Sequence, residues 1–557
     1  MKLKLIAALL ASGAICMTTP AFAQEPAPAA EPEPTEPDAS DAQADQAIGQ
    51  AETLDDAQAK IELLTAQVEA LQAAMEEIKT GMVKATPSWK GAPLFEDKDD
   101  GWSFKPRGRI QYDAGWISNP DDNPLLGGST GAGAGLNTRD LGFNTRARRI
   151  RLGAEGTIPG GFGYKFEMDF ANSTVGFGDV ILTYAGKGNP WNIAIGNQET
   201  NNGLEQQSSS RFVSFMERAA FDDAFINTRR VGVNLGYVNA TGNFRINGGL
   251  WAAHSIDASI DNEGWIAAAR AVYSPLMGAN QLHFGANFQY RKFQANNAQT
   301  PTNSIGAPST NQIARYRARP FTQTTGIRFV DTGNYAAEGD AILGLEAAGI
   351  FKSLHLAAEG QYLWSRVGYD PGDLIAANNL GQFVNNTTSG CGGVLTACAV
   401  YVTPSGNPSF WGGYVEAGYF FTGETRGYKN GTWDRTKVLK PFSKGGWGAL
   451  QANLRVDHLD LQSGKLKNAL NNNFTAGTTS NSSLLSRSTR GGKQTGLLAS
   501  LVWIPEDYMR FYFQYSHAFI QGGPFADEVD DVSTSTIDVS SKKYGVDFVG
   551  TRAQIDF

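Results

Sequence analysis

Residues 197–218 read NQETNNGLEQQSSSRFVSFMER. The segment follows an alternating stretch, WNIAIGNQ at 191–198, and is too polar to be another strand. It ends in the bulky run 212–216 and a Glu217–Arg218 pair. Such an insert is expected to be a loop folded into the bore of a closed wall. The reading holds only if the rest of the chain supplies that wall.

From Trp89 onward the apolar period is two. Ile110, Tyr112, Ala114 and Trp116 alternate with Arg109, Gln111, Asp113 and Gly115; Tyr164, Phe166, Met168 and Phe170 alternate with Lys165, Glu167 and Asp169. Leu450, Ala452, Leu454 and Val456 alternate in the same way with Gln451, Asn453, Arg455 and Asp457. One face is apolar and the other carries charge, a pattern shared by a soluble sandwich and a barrel whose polar face encloses a lumen. Sixteen such segments can be marked: 104–116, 145–158, 162–172, 178–186, 191–198, 229–239, 243–252, 265–274, 281–292, 340–352, 354–366, 409–422, 447–460, 493–504, 509–519 and 544–557. The count is even, as single-chain bacterial barrels require, and large enough for an aqueous channel. Short connections (Pro159-Gly160-Gly161, 186–190, Lys352-Ser353) follow even segments, and long ones (117–144, 293–339, 367–408, 461–492, 520–543) follow odd ones. The connection 422–446 breaks the rhythm: either it is a large loop at the short-turn end, or the count fails there. Val549, Thr551, Ala553, Ile555 and Phe557 share the apolar face of the last segment, whose terminal aromatic reads as an outer-membrane insertion signal.

Composition agrees with this class. Of 557 residues only 18% are charged, 64 are glycine and 11% are aromatic, and past the first residues no run approaches the ~20 apolar residues of a membrane helix. Residues 1–23 read as a secretory signal, with Lys2 and Lys4, an apolar run to Ile15, and Ala21-Phe22-Ala23 before the cut. Cys16 invites a lipoprotein reading, but Gly13-Ala14-Ile15 is a poor lipobox. Residues 24–50, rich in Pro, Ala and acids, cannot bury a core and are expected to form a disordered tether. In 51–86, Leu54, Ile61, Val68, Met75 and Met82 recur every seven residues, with Ala57, Leu64, Leu71 and Ile78 between them. This predicts a coiled coil, the alternative being an amphipathic helix lying on its own protein. The formal charge of −8 sits in this front part: 24–88 holds 14 acids and three lysines, leaving 42 basic and 41 acidic residues in 89–557. No basic domain suggests nucleic acid. Cys391 and Cys398, in a Gly/Thr-rich loop of an exported chain, are expected to pair as a disulfide.

Arg146, Arg148, Arg149 and Arg151 crowd six positions. If Ile150, Leu152 and Ala154 face lipid, then Arg149 and Arg151 enter the lumen, while Arg146 and Arg148 fall near the rim or in the loop. The competing reading is a solvated surface strand. Arginine suits an anion path because it stays charged and donates planar hydrogen bonds. Arg315, Arg317 and Arg319 recur at period two in ARYRARP, so an extended segment would carry them on one face, as an anion-concentrating ladder or as a plain basic loop. No catalytic constellation, cofactor motif or metal-spaced cluster is visible. His458 shares the apolar face by parity and reads as an interfacial histidine.

The stretch SSSRFVSFMER at 208–218 resembles the phosphate-selective porin O and P family. So do RARRIRLGAEG at 146–156, Asp179 in DVILTY, RPFTQTTGIRFVDTG at 319–333 and GGYVEAGYFFTGETRGY at 412–428, all in family order across 89–557. The resemblance implies a homotrimer of sixteen-stranded outer-membrane barrels, each with its third loop folded inward as an eyelet. It implies anion-site roles for Ser209, Ser210 and Arg218, an acidic residue facing that site at Asp179, and paired arginines at Arg148 and Arg149. A looser mapping gives the arginine ladder as Arg315, Arg317 and Arg319. The family's eyelet carries a lysine upstream of the serines; here the stretch is Glu205-Gln206-Gln207, and a nearby Glu205 is expected to weaken phosphate selectivity.

The expectation is therefore an all-β, sixteen-stranded antiparallel transmembrane barrel over 89–557, preceded by a coiled-coil helix at 51–86 in the periplasm. It would be an outer-membrane porin for small anions such as phosphate, not an enzyme, surrounded by lipid and without a cofactor. A general porin of the same fold and a structural envelope tether are the alternatives.

Overall fold

The computed structural model describes residues 58, 61–73, 75, 88–89, 91–120, 141–171, 175–186, 188–225, 228–253, 256, 264–293, 313–333, 335–367, 406–466, 491–524 and 541–557. The signal segment, the 24–50 tether, Cys391 and Cys398 lie outside them. The chain divides into two compact units, Met1–Gly81 and Met82–Phe557.

In the first unit residues 61–73 are helical. Ile61, Leu64, Val68, Leu71 and Met75, all heptad positions, are between 50% and 69% exposed, so this apolar stripe is uncovered within the single chain.

The second unit is built on sixteen antiparallel strands. They are β1 (Trp102–Ile117), β2 (Gly142–Ile158), β3 (Phe162–Asp169), β4 (Gly176–Tyr184), β5 (Trp191–Gln198), β6 (Arg230–Val238), β7 (Phe244–Ala252) and β8 (Gly264–Tyr273). There follow β9 (Asn280–Phe293), β10 (Gly339–Phe351), β11 (Leu354–Arg366), β12 (Ser409–Phe420), β13 (Ala449–Asp460), β14 (Lys493–Glu506), β15 (Met509–Gln521) and β16 (Lys543–Asp556). Each pairs with the next, and β16 pairs with β1, from Phe548 against Ile117 to Asp556 against Arg109. The sheet closes on itself, which removes its edges. At the seam Gly108 and Phe557 exchange backbone hydrogen bonds of 3.1 and 3.0 Å. A Cβ at Gly108 would lie 2.1 Å from the Phe557 ring, so only glycine lets the last side chain lie over β1.

The alternation seen in the sequence becomes two faces. The outer one exposes Leu343, Leu345, Val415, Leu454, Val456 and Phe513, while the inner one buries Arg455, Asp457, Gln514 and Arg552. The expected segments match the strands to within a few residues. One departure matters. Between Gln111 and Tyr112 the β1–β2 register shifts, with Gln111 opposite Arg149 and Tyr112 opposite Ala147. Arg148 is the extra residue of this bulge, and strict parity ends there. The irregular connection 422–446 does not break the count: β12 and β13 pair directly, and the connection is a folded segment with a hairpin (Gly427–Lys429 with Thr432–Asp434).

Candidate functional site

Residues 199–229, between β5 and β6, contain two short helices, Leu204–Gln207 and Ala220–Phe225. Leu204, Phe215, Met216, Phe221 and Phe225 are almost fully buried. They share one apolar cluster with Phe410 and Tyr414 of β12, Leu459 of β13, and Tyr316, Phe321 and Phe329 from the connection between β9 and β10. The bulky residues that look misplaced in a polar loop are its core.

Polar anchors fix this core against inner-face side chains. Arg148 (β2) holds Glu217 through both oxygens, at 2.8 and 2.9 Å. Arg552 (β16) bridges Glu217 at 2.8 Å and Asp113 (β1) at 2.6 Å. Arg109 (β1) donates to Ser210 at 2.6 Å, and the Met216 N–H donates to Gln514 (β15) at 2.8 Å. Arg455 (β13) pairs with both Glu205 and Glu416 (β12), while the Glu205 N–H reaches Glu359 (β11) at 3.0 Å. Burial alone would raise the Glu217 carboxyl, but Arg148, followed by Arg552 and Arg149, outweighs it and holds it well below the usual range. Asp222 goes the other way: burial, then the Glu205 charge, push it well above that range against the pull of Arg218 and Arg455. One of its carboxylate oxygens is buried without a hydrogen-bond partner.

Two cavities flank the loop. One, of about 270 Å³, is lined by Arg148, Arg319, Phe321, Glu217, Asp222 and Asp223 among others. The other, of about 310 Å³, is lined by Arg107, Arg109, Lys165, Glu167, Asp179, Ser209 and Arg211 among others. Both are lined by Arg149, Arg151, Glu199, Gln206, Ser210, Arg218 and Arg229, which therefore mark a shared neck. Its four arginines differ in how far they are neutralised. Arg151 is paired with Glu167 and Asp169, each at 2.7 Å, and Arg229 with Asp179 and Glu199 at 2.5 and 2.9 Å. Arg149 donates to the Gln111 amide at 2.8 Å, and Arg218 to the carbonyls of Glu205, Gln206 and Ser208 at 2.9–3.2 Å. Arg149 and Arg218 thus have neutral acceptors where Arg151 and Arg229 have carboxylates.

The sequence-derived residues divide accordingly. Arg149, Arg151, Ser210 and Arg218 line the neck; Ser209 and Asp179 line the second cavity, where Asp179 is tied to Lys165 and Arg229. Arg148 is the extra residue of the bulge and is turned inward onto Glu217. Arg146 is turned inward as well, donating to the Gln323 carbonyl at 2.9 Å. Of the three ladder residues, Arg319 reaches the first cavity and bonds to Asp223. Arg315 is taken up by Asp331 at 2.6 Å, and neither it nor Arg317 lines the two cavities. Glu205 lends the neck only its carbonyl, to Arg218; its side chain lines neither cavity and is held by Arg455, and the residue is 2% exposed. Its neighbour Gln206 is the residue at the neck, with its amide donating to Glu199 at 3.0 Å. Sequence reasoning passed over Arg109, Arg211, Arg229 and Glu199. Inner-face parity on β1 could have found Arg109; the others depend on loop geometry.

The 422–446 segment supports the loop from the end of the barrel where the short turns lie. Arg426 donates to the Ser214 hydroxyl at 2.6 Å and the Phe212 carbonyl at 3.0 Å, and its guanidinium lies 4.3 Å from the Trp433 ring centre. The Trp433 N–H donates to Ser208 at 3.0 Å. Arg435 reaches across to Asp556 and the Asp507 carbonyl.

A closed sixteen-stranded antiparallel barrel with an apolar outer face and a charged inner one is the architecture of an outer-membrane porin. The family model for phosphate-selective porin O and P matches residues 128–537, and the chain belongs to that family. It is 32% identical over 480 residues to an uncharacterized protein of Caulobacter vibrioides, covering 84% of this chain and 77% of the other. It is 32% identical over 212 residues to Porin O of Pseudomonas aeruginosa, covering 36% of this chain and 44% of that protein. Among solved structures it is similar to the outer membrane channel DcaP of Acinetobacter baumannii (15% identity, TM-score 0.41, 83% and 99% of the two chains). It is also similar to an anion-selective porin from Comamonas acidovorans (13%, 0.40, 82% and 100%).

Proposed function

We propose that this porin passes small anions, phosphate or related oxyanions among them, through a constriction made by residues 199–229 folded inward against the β1–β2 wall. The observation that carries the reading is the neck, where Arg149 and Arg218 bond to neutral acceptors while Arg151 and Arg229 are balanced by carboxylates. A hydrated anion meets fixed guanidinium and hydroxyl donors there, and a cation meets repulsion. Ser209, Ser210 and Arg109 supply the next donors along the path. The protein works as a homotrimer with its short turns and N-terminal helix on the periplasmic side, and three barrels hold three helices at a high effective concentration. Glu199 and Gln206 at the neck favour a second reading, a weakly selective general anion channel in which phosphate has no privileged site.

Reversal potentials in a salt gradient across a planar bilayer separate these readings. Anion permeability exceeding cation permeability, with chloride current reduced by added phosphate, supports the proposal. Anion preference without phosphate block supports the second reading, and cation preference rules out both.

A further inference from the structure

The 422–446 segment does more than support the loop. After Arg435 it leaves the inner face and forms a closed loop, in which the N–H groups of Gly446 and Gly448 donate to the carbonyls of Pro441 and Lys440 at 3.0 and 2.9 Å. A single 3-10 turn, Phe442–Lys444, lies between them. This loop presents Leu439, Phe442 and Trp447 outward. Trp447, at 84%, is the most exposed large apolar side chain among the described residues.

Such exposure is costly in water but is the normal state of a membrane-interface belt. The loop is joined to that belt: the Phe442 ring packs edge-on to Trp503 at 6.0 Å, Trp503 stacks on Phe511 at 5.3 Å, and the Trp503 indole N–H donates to the Trp447 carbonyl at 2.8 Å. Trp503 and Phe511 are outer-face residues of β14 and β15. Beside these anchors Lys437, Lys440 and Lys444 are exposed. Three carboxylates bond to the backbone of this loop: Glu506 accepts from the Ser443 N–H, Asp507 from Val438 and Glu424 from Leu439. Among the described residues none of the three lysines has an ion pair.

We propose that the 437–447 loop is a docking site for anionic phospholipid headgroups of the membrane leaflet at the short-turn end. Leu439, Phe442 and Trp447 enter the interface, and Lys437, Lys440 and Lys444 pair with headgroup phosphates. The aromatic anchors, continuous with the belt, select a lipid over a free phosphate ion. This rests on the outer-membrane porin reading, which puts that end against the phospholipid leaflet.

The test uses the full-length protein in bilayers containing spin-labelled phosphatidylglycerol or phosphatidylcholine. Motionally restricted phosphatidylglycerol is expected to exceed phosphatidylcholine by about fivefold or more. The preference is expected to be lost in Lys437→Gln/Lys440→Gln/Lys444→Gln and reduced in Trp447→Ser, while an excess of inorganic phosphate leaves it unchanged. Equal restriction of the two lipids, a preference that survives the triple substitution, or displacement by inorganic phosphate overturns the proposal. Conductance measured in the same bilayers separates the two readings: an open channel without lipid preference sinks this inference alone, and a closed one sinks the porin reading.

Discussion

At the scale of single residues, selectivity comes down to which charges have been spent. Arginine is abundant on the inner face, but a guanidinium held bidentately by carboxylates offers little to a passing ion. Arg148 and Arg552 are of that kind; they secure Glu217. Arg149 and Arg218 bond to neutral acceptors instead. Gln206 is the neutral position among them. Gln206→Lys places a cation at the neck without touching the anchors, and is expected to raise the anion-to-cation permeability ratio severalfold. Reversal potentials measure this, and an unchanged ratio would remove Gln206 from the conducting path. Glu205, the adjacent residue in sequence, is instead buried and paired with Arg455.

At the scale of elements, residues 199–229 are a small folded unit whose apolar side chains pack on the wall and whose acids crowd together. Glu205 and Asp222 from the loop lie near Glu359 and Asp457 of the wall, with Arg455 and Arg218 as the neighbouring cations. The raised Asp222 is therefore most compatible with the folded loop when protonated. A carboxyl raised on folding contributes stability that is full below its ordinary value near ~4 and is lost as pH rises through the folded value, at up to about 1.4 kcal/mol per pH unit for one proton. Heat-induced unfolding in detergent is expected to need a lower temperature as pH rises above ~4, and Asp222→Asn is expected to flatten that dependence. A variant with the wild-type profile would show that another group sets it. The Arg426–Trp433 arm belongs to the same scale. It is a connection that became a strut, because its side chains found carbonyl and hydroxyl acceptors on the underside of the loop.

At the scale of the whole molecule, the barrel and the N-terminal helix answer different needs. The barrel closes through β16–β1 and depends on nothing outside itself for pairing. The helix leaves Ile61, Leu64, Val68 and Leu71 exposed, an isolated helix of this length is marginal in water, and the proposed coiled coil would bury the stripe. Removing residues 24–86 is expected to leave single-channel conductance within experimental error and to lower the temperature at which the assembled oligomer dissociates on a gel. A large change in conductance would give the front segment a part in the pore, and an unchanged dissociation temperature would deny it one in assembly.

The sequence by itself determined the wall. A period of two with an apolar outer face leaves little freedom, since a one-residue slip would put Arg455 or Asp457 into lipid, and so the strands, their number and their antiparallel order were legible. The arginines of β2 and the serines of 208–210 were visible in the sequence as polar groups, and Arg149, Arg151 and Ser210 among them line both cavities. What only the tertiary structure decided was how those groups are matched. The bulge at Arg148 reversed its side, since a bulge has no signature in alternation. Glu205 was drawn to Arg455, 250 positions along the chain, and Arg315 to Asp331, while Arg319 alone of its row reached a cavity. Charge partners are chosen by distance in space, and in a closed barrel every wall residue lies within reach of loops that enter from far away in sequence. The segment 197–218 announced itself as something other than a strand; which of its charges remain free to meet an ion depended on the strands that surround it.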